Sequence, residues 1–177
     1  MKKHTASLFV LSSVLACLCI PAAVNAEPIV PDYIIASSIL NEAGYDHSPA
    51  CLQDNDLSTA WMEGDDGTGL WEYLDFGIPE GTELTGGVIY PGFYVGEDLF
   101  YKNNAPTRLY ISSGGQGMYL DVSEYAETYH PDFNGYHFVL EEPLMSDGTV
   151  RVTILVVREG WKYNDTCISE LWFEDEY

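Results

Sequence analysis

"VRVTILVV", residues 150–157, sets Val150, Val152, Ile154 and Val156 on one face of an extended chain, because side chains alternate across a strand. β-branched residues dominate it and no turn former interrupts it. Such a strand needs partners, and similar segments lie on both sides. "RLYIS" (108–112), "GMYLDV" (117–122), "YHFVL" (136–140) and "CISELWF" (167–173) run or alternate apolar over four to eight residues. Between the segments stand "GIPEGTELTGG" (77–87), "SSGGQG" (112–117), "HPDFNG" (130–135) and "EEPLMSDG" (141–148), all rich in turn formers and expected as connections. Helix is scarce: "SILNEAG" (38–44) offers one turn, and nothing else sustains a 3.6-residue period. Many strands without helices predict an all-β fold of two packed antiparallel sheets, a jelly-roll β-sandwich.

Working outward to the chain's start, "MKKH" is a basic head, "ASLFVLSSVLACLCI" an apolar run, and "VNA" ends on the small residue expected before a signal-peptidase cut. Residues 1–26 read as a signal peptide cleaved after Ala26. A lipoprotein cut before Cys17 is the lesser alternative. The run is shorter than the roughly 20 residues of a membrane span, so no membrane insertion is expected. Residues 27–177 then form one exported domain, secreted to the extracellular space or the periplasm. Lys2 and Lys3 leave with the signal, so five Lys and Arg face 28 Asp and Glu, a net charge of −23. That field repels phosphate backbones and anionic headgroups, which excludes nucleic acid and favours neutral ligands and cations. Cys51 and Cys167 are the cysteines left after the signal, an even pair in an oxidising compartment, and a Cys51–Cys167 disulfide is expected.

"DNDLSTAWMEGDDG" (54–67) concentrates five acids beside one Trp. Asp54 and Asp56, followed by Ser58 and Thr59, present hard oxygens at a spacing that suits Ca²⁺, although a solvated turn explains the charge equally simply. An EF-hand is excluded, because the loop lacks its sixth-position Gly and flanking helices. No G-x-S-x-G, H-E-x-x-H, C-x-x-C or phosphate loop is present. His47, His130 and His137 lie apart and read as ordinary surface or strand residues.

"DNDLSTAW" resembles the D-G-D-x-S-T-x-W signature of discoidin-like domains, also called coagulation factor five/eight (F5/8) type C domains, which share the galactose-binding-like jelly roll. The nearer likeness is to the branch named after the translocation domain of NAD glycohydrolase, described as glycan-binding. It is carried by "IIASSIL", "DNDLSTAWMEG", "GLWEYLDFG", "PGFY", "FYKNNAPTRLYI", "VRVTIL" and "GWKYNDTCISELWF", in the family's order from Ile34 to Phe173. Asn55 replaces a usual Gly, Ala105 a usual Arg, and Glu72 an expected apolar residue. The resemblance implies that Glu170 in "SEL" meets the first loop across a metal, so that Asp54, Asp56, Thr59 and Glu170 would hold a structural Ca²⁺.

Sugars are held by aromatic faces against C–H surfaces and by amides or carboxylates on hydroxyls, commonly on loops at one end of a sandwich. Three clusters offer such groups: Trp61 and Glu63; Tyr101, Asn103 and Asn104; and Trp161, Lys162, Tyr163 and Asp165. Trp61, directly after the acidic loop, reads more readily as a core plug than as a sugar platform, and Trp71 and Trp172 read as packing residues in strands. The resemblance implies a secreted, non-catalytic module binding a neutral glycan. A protein-interaction or toxin-delivery module on the same scaffold is the alternative, and it would expose an apolar patch rather than a polar cleft. A hydrolase would need a carboxylate pair about 5–10 Å apart. With 28 acids, abundance alone argues nothing, and no enzyme is expected.

Overall fold

The structure is a computed structural model and describes residues 27–132 and 134–175. The expected signal peptide lies outside the described residues. Ten strands follow one another: β1 (Pro28–Ile29), β2 (Ile34–Ala36), β3 (Trp61–Met62), β4 (Tyr73–Phe76), β5 (Glu83–Pro91), β6 (Ala105–Ser113), β7 (Gln116–Asp121), β8 (Tyr136–Met145), β9 (Val150–Arg158) and β10 (Cys167–Glu174). One sheet runs β1-β10-β5-β8, with β3 also on β10; the other runs β2-β4-β9-β6-β7, and every strand pairing is antiparallel. The expected all-β sandwich is therefore the fold. Its core lies between the sheets, with Leu74, Leu109, Val152 and Ile154 facing Ile89, Leu171 and Phe173. Phe76 and Phe173 meet edge to face across it, centroids 5.3 Å apart.

The alternation in β9 holds only in part. Val150, Val152 and Ile154 are buried, but Val156 is exposed and Val157 packs against the core. The register explains the change. Arg108 pairs with Val156 and Leu109 with Ile154, so Leu155 is an extra residue, and the face flips beyond it.

Three connections differ from expectation. "GIPEGTELTGG" is not one turn, because its second half begins β5, which lies between β10 and β8. Gly86 and Gly87 are strand residues: a Cβ on Gly87 would clash with the Trp172 carbonyl oxygen and come within 2.8 Å of Phe138 Cζ. "EEPLMSDG" likewise continues β8 through Met145, and Pro143 is tolerated because β8 is an edge strand. "SILNEAG" forms no helix, since Leu40 donates to the Met62 carbonyl as an extended segment and the turn comes only at 43–44. The α-helices present are α1 (Glu97–Lys102) and α2 (Ser123–Ala126). Trp71 is no packing residue; it sits in a turn at φ 74° and is 71% exposed.

Candidate functional site

Where β5 ends, β6 begins and β10 begins, four loops converge. Backbone hydrogen bonds knit them together: Met62 to the His47 carbonyl, Gly92 to Cys167, Asn104 to Asp165, and Tyr163 to Lys102. They enclose a cavity of about 670 Å³. Its apolar lining comes from Leu40, Met62, Phe93, Val95 and Leu99. Its polar lining includes Glu42, Asp46, His47, Asn103, Tyr163 and Asp165. Tyr45 stands at this cavity, largely exposed, its ring nearly parallel to His47 with centroids 6.1 Å apart. A flat ring, apolar side chains and several oxygens are the groups that hold a sugar ring and its hydroxyls.

The polar lining is organised from the 41–48 loop. His47 is 6% exposed; its Nε2 lies 3.2 Å from Glu42 Oε2, while the buried Nδ1 has no partner. Asp46 accepts the Ser48 amide at 2.9 Å, and that bond holds its carboxyl below the ordinary value. Burial instead pushes the Asp165 carboxyl up.

Of the nine residues expected to bind sugar, Asn103, Tyr163 and Asp165 line this cavity. The others do other things. Trp61 is fully buried in the core, with its indole N–H on the Ser38 carbonyl. Glu63 is fully buried and accepts the amides of Asp65 and Thr166. The Tyr101 hydroxyl accepts the Tyr129 amide and its ring packs edge-on against Phe100. Asn104, also buried, donates to the Asn164 carbonyl and accepts the Gly160 amide at 2.6 Å, tying two loops together. Trp161 is exposed under the Lys102 ammonium, 5.3 Å from its centroid, and Lys162 donates to the Tyr163 hydroxyl at 2.7 Å. Glu42, Tyr45, His47 and Phe93 were missed. "GYDHSP" (44–49), a glycine-started loop of aromatic, acid and histidine, was the available signal.

The acidic loop is wound on itself. Asp54 accepts the Asp56 amide at 2.8 Å and the Thr59 hydroxyl at 2.7 Å; Asp56 accepts the Ser58 amide and hydroxyl. Asn55 adopts φ 59°, which explains why an Asn can stand in for the usual Gly. Of the expected metal set, the Asp56 carboxylate and the Thr59 hydroxyl make hydrogen bonds within the loop, and among the described residues no group of three or more His, Cys, Asp or Glu side chains is gathered as a metal site. Glu170 does meet the loop. Both its oxygens are buried without a hydrogen bond, and burial together with the charge of Asp54 raises its carboxyl to about 7, against the pull of the Asp56 and Asn55 amides. The expected Cys51–Cys167 bridge is also not formed. Both thiols are free and buried, Cys51 pointing to the Asp46 carbonyl and Cys167 to that of Asp165.

A family profile described as the NAD glycohydrolase translocation F5/8 type C domain matches residues 28–174. The chain belongs to this family. No curated protein matches the sequence. Among solved structures, this F5/8 type C domain is similar to the CBM32 of AlyQ, solved in complex with 4,5-unsaturated mannuronic acid (TM-score 0.56, 11% identity, 83% of this chain and 97% of that one). It is also similar to a pectin-binding carbohydrate-binding module (TM-score 0.52, 18% identity, 84% and 91%). A third match is arabinofuranosyltransferase AftD from Mycobacteria (TM-score 0.53, 16% identity), of which the 80% of this chain that aligns spans only 11%. At these identities the likeness establishes the fold, which is that of carbohydrate-binding modules.

Proposed function

We propose that this F5/8 type C domain is a secreted, non-catalytic module that binds a glycan without negative charge in the cavity between the 41–48 and 163–165 loops. The observation that carries the reading is the cavity's make-up: Tyr45, Phe93 and Tyr163 beside Asn103, Asp165 and Glu42, with no Lys or Arg in its wall. The two carbohydrate-binding modules of the same fold support it. Acidic sugars would meet Glu42, Asp46 and Asp165. Affinity should be on the order of micromolar to millimolar, because each hydrogen bond formed replaces one to water. A glycan array with the parent, Tyr45→Ala and Tyr163→Ala tests the reading. Both variants should lose binding, with melting temperatures within about 2 °C of the parent, since both rings are partly exposed. Variants that fold and bind like the parent would remove the site from this cavity.

A protein-interaction role draws on Leu70 and Trp71, exposed at 45% and 71% on one turn. Capture of a protein partner that Trp71→Ala abolishes, with an array that stays blank, would favour it.

We propose further that a structural Ca²⁺ sits between the 54–59 loop and β10. Asp54 and the unpartnered Glu170 fit a hard cation, which prefers oxygen ligands and accepts backbone carbonyls for the remainder. When bound, Ca²⁺ would neutralise the pair and fasten the 54–59 loop to β10. Binding to the folded state alone adds about 2.7 kcal/mol at a hundredfold excess over Kd. Millimolar calcium should therefore raise the melting temperature and EDTA lower it; a curve moved by neither rules the site out.

A further inference from the structure

We infer that the open face of the β2-β4-β9-β6-β7 sheet carries a second binding groove, for a linear neutral glycan, separate from the cavity between the loops. Strand register sets two rows of outward side chains next to each other, since directly paired residues share a face. Tyr73, Thr153, Tyr110 and Tyr119 stand opposite one another across β4, β9, β6 and β7. Asp75, Arg151, Ser112 and Gly117 form the neighbouring row, while Leu74, Val152 and Ile111 between the rows belong to the core. Adjacent strands lie about 4.8 Å apart, so each row runs for about 14 Å, longer than one sugar ring. A cavity of about 430 Å³ opens on this face, lined by Asp75, Arg151, Tyr110, Ser112, Gln116 and Thr149 among others. Among the described residues lining it there is no Leu, Ile, Val or Met.

The charges in the groove are already partnered. Arg151 grips Asp75 through Nε and Nη2, both at 2.7 Å, with its guanidinium 3.8 Å from the Tyr73 ring centroid. Asp147 accepts the Ser113 hydroxyl at 2.9 Å. An anionic chain would therefore meet the −23 field without an unpaired base to hold it. What the groove offers a ligand is tyrosine rings, hydroxyls and an amide, the groups that meet the C–H faces and hydroxyls of a sugar. Two features preform it. Gly114 and Gly115, at φ 57° and 78°, make the tight two-residue hairpin at its end, and the Ser113 hydroxyl there accepts the Asp147 amide at 3.0 Å. On β7, a Cβ at Gly117 would clash with the Tyr110 hydroxyl. The glycine lets Tyr110 lie across the edge strand beside Tyr119, ring centroids 5.2 Å apart, with Tyr119 72% exposed. β6 begins by the first cavity and ends at this groove, so the two lie about 26 Å apart.

Residue-resolved NMR titration of the full chain tests the groove separately from the cavity. The probes are cellohexaose, xylohexaose, mannohexaose and laminarihexaose, each compared with its disaccharide, and a neutral hexapeptide of Gly and Ser. At least one hexasaccharide should shift the amides of 110–119 and 151–153, binding about tenfold more tightly than its disaccharide because it spans the row. Tyr119→Ala and Gln116→Ala, both at exposed positions, should each weaken that binding about fivefold. Any shifts at 41–48 and 163–165 should be the same in these variants as in the parent. Groove shifts without cavity shifts uphold the groove and count against the cavity as the glycan site. Hexasaccharide shifts confined to the cavity, or groove shifts that neither variant weakens, overturn the groove and leave the first reading standing. The hexapeptide shifting the groove amides as strongly assigns the face to polypeptide and overturns it as well. So does the lack of any groove shift with all four hexasaccharides.

Discussion

Both oxygens of Glu170 are buried and neither forms a full hydrogen bond, and burial with the charge of Asp54 pushes its carboxyl up to about 7 from its ordinary 4.5, despite the nearby Asn55 and Asp56 amides. A carboxyl raised in the folded state favours folding while protonated. Its contribution is complete below 4.5 and is lost as pH rises through about 7. In EDTA, the melting temperature should fall between these values, and Glu170→Gln should flatten that part of the profile relative to the parent. An identical profile in both would refute the assignment. Asn104 gives a second residue-scale outcome: Asn104→Ala strands the Asn164 carbonyl and Gly160 amide and should cost about 2–3 kcal/mol in denaturant unfolding, without contacting ligand. Here the sequence was partly legible. The residue types that bind sugar were readable in "FYKNN" and "GWKYND", but whether an amide faces a cavity or another loop depends on chain segments about 60 residues away, which no local pattern encodes.

Among the elements, β9 was readable because its residues are β-branched and its neighbours are strands. β5 was not. Its Gly86-Gly87 pair looks like a turn in the sequence, yet Gly87 serves the close approach of β10 and Phe138. Gly87→Ala should therefore destabilise by about 2 kcal/mol or more, measured by chemical denaturation, where an ordinary strand glycine would gain from the change. α1 was invisible for a different reason: six residues carry too little periodicity to register, and tertiary bonds hold the helix in place. Arg158, at the end of β9, donates to the Phe100 and Asn103 carbonyls at the end of α1 and to Ala126 in α2. Arg158→Lys keeps the charge but loses the fork, and should cost about 3 kcal/mol while loosening the loop that carries Asn103.

At the scale of the whole molecule, charge was the most legible property. From Glu27 onward the net charge is −23, and the Lys and Arg ion pairs among the described residues are Lys102–Asp98, Arg108–Asp121 and Arg151–Asp75. Repulsion outweighs so few attractions, so raising NaCl should raise the melting temperature, by on the order of 1 kcal/mol or a few degrees. A fall would mean that the pairs outweigh the field. The pairing of β1 with β10 has a mechanical consequence. Pro28 lies opposite Glu174 and Ile29 opposite Phe173, so the chain enters and leaves at one edge, while the cavity sits by Cys167 at the other end of β10. A load applied between these two points unzips β1 one pair at a time instead of shearing a ladder at once. The first yielding step is weak, and it occurs a strand's length away from the cavity.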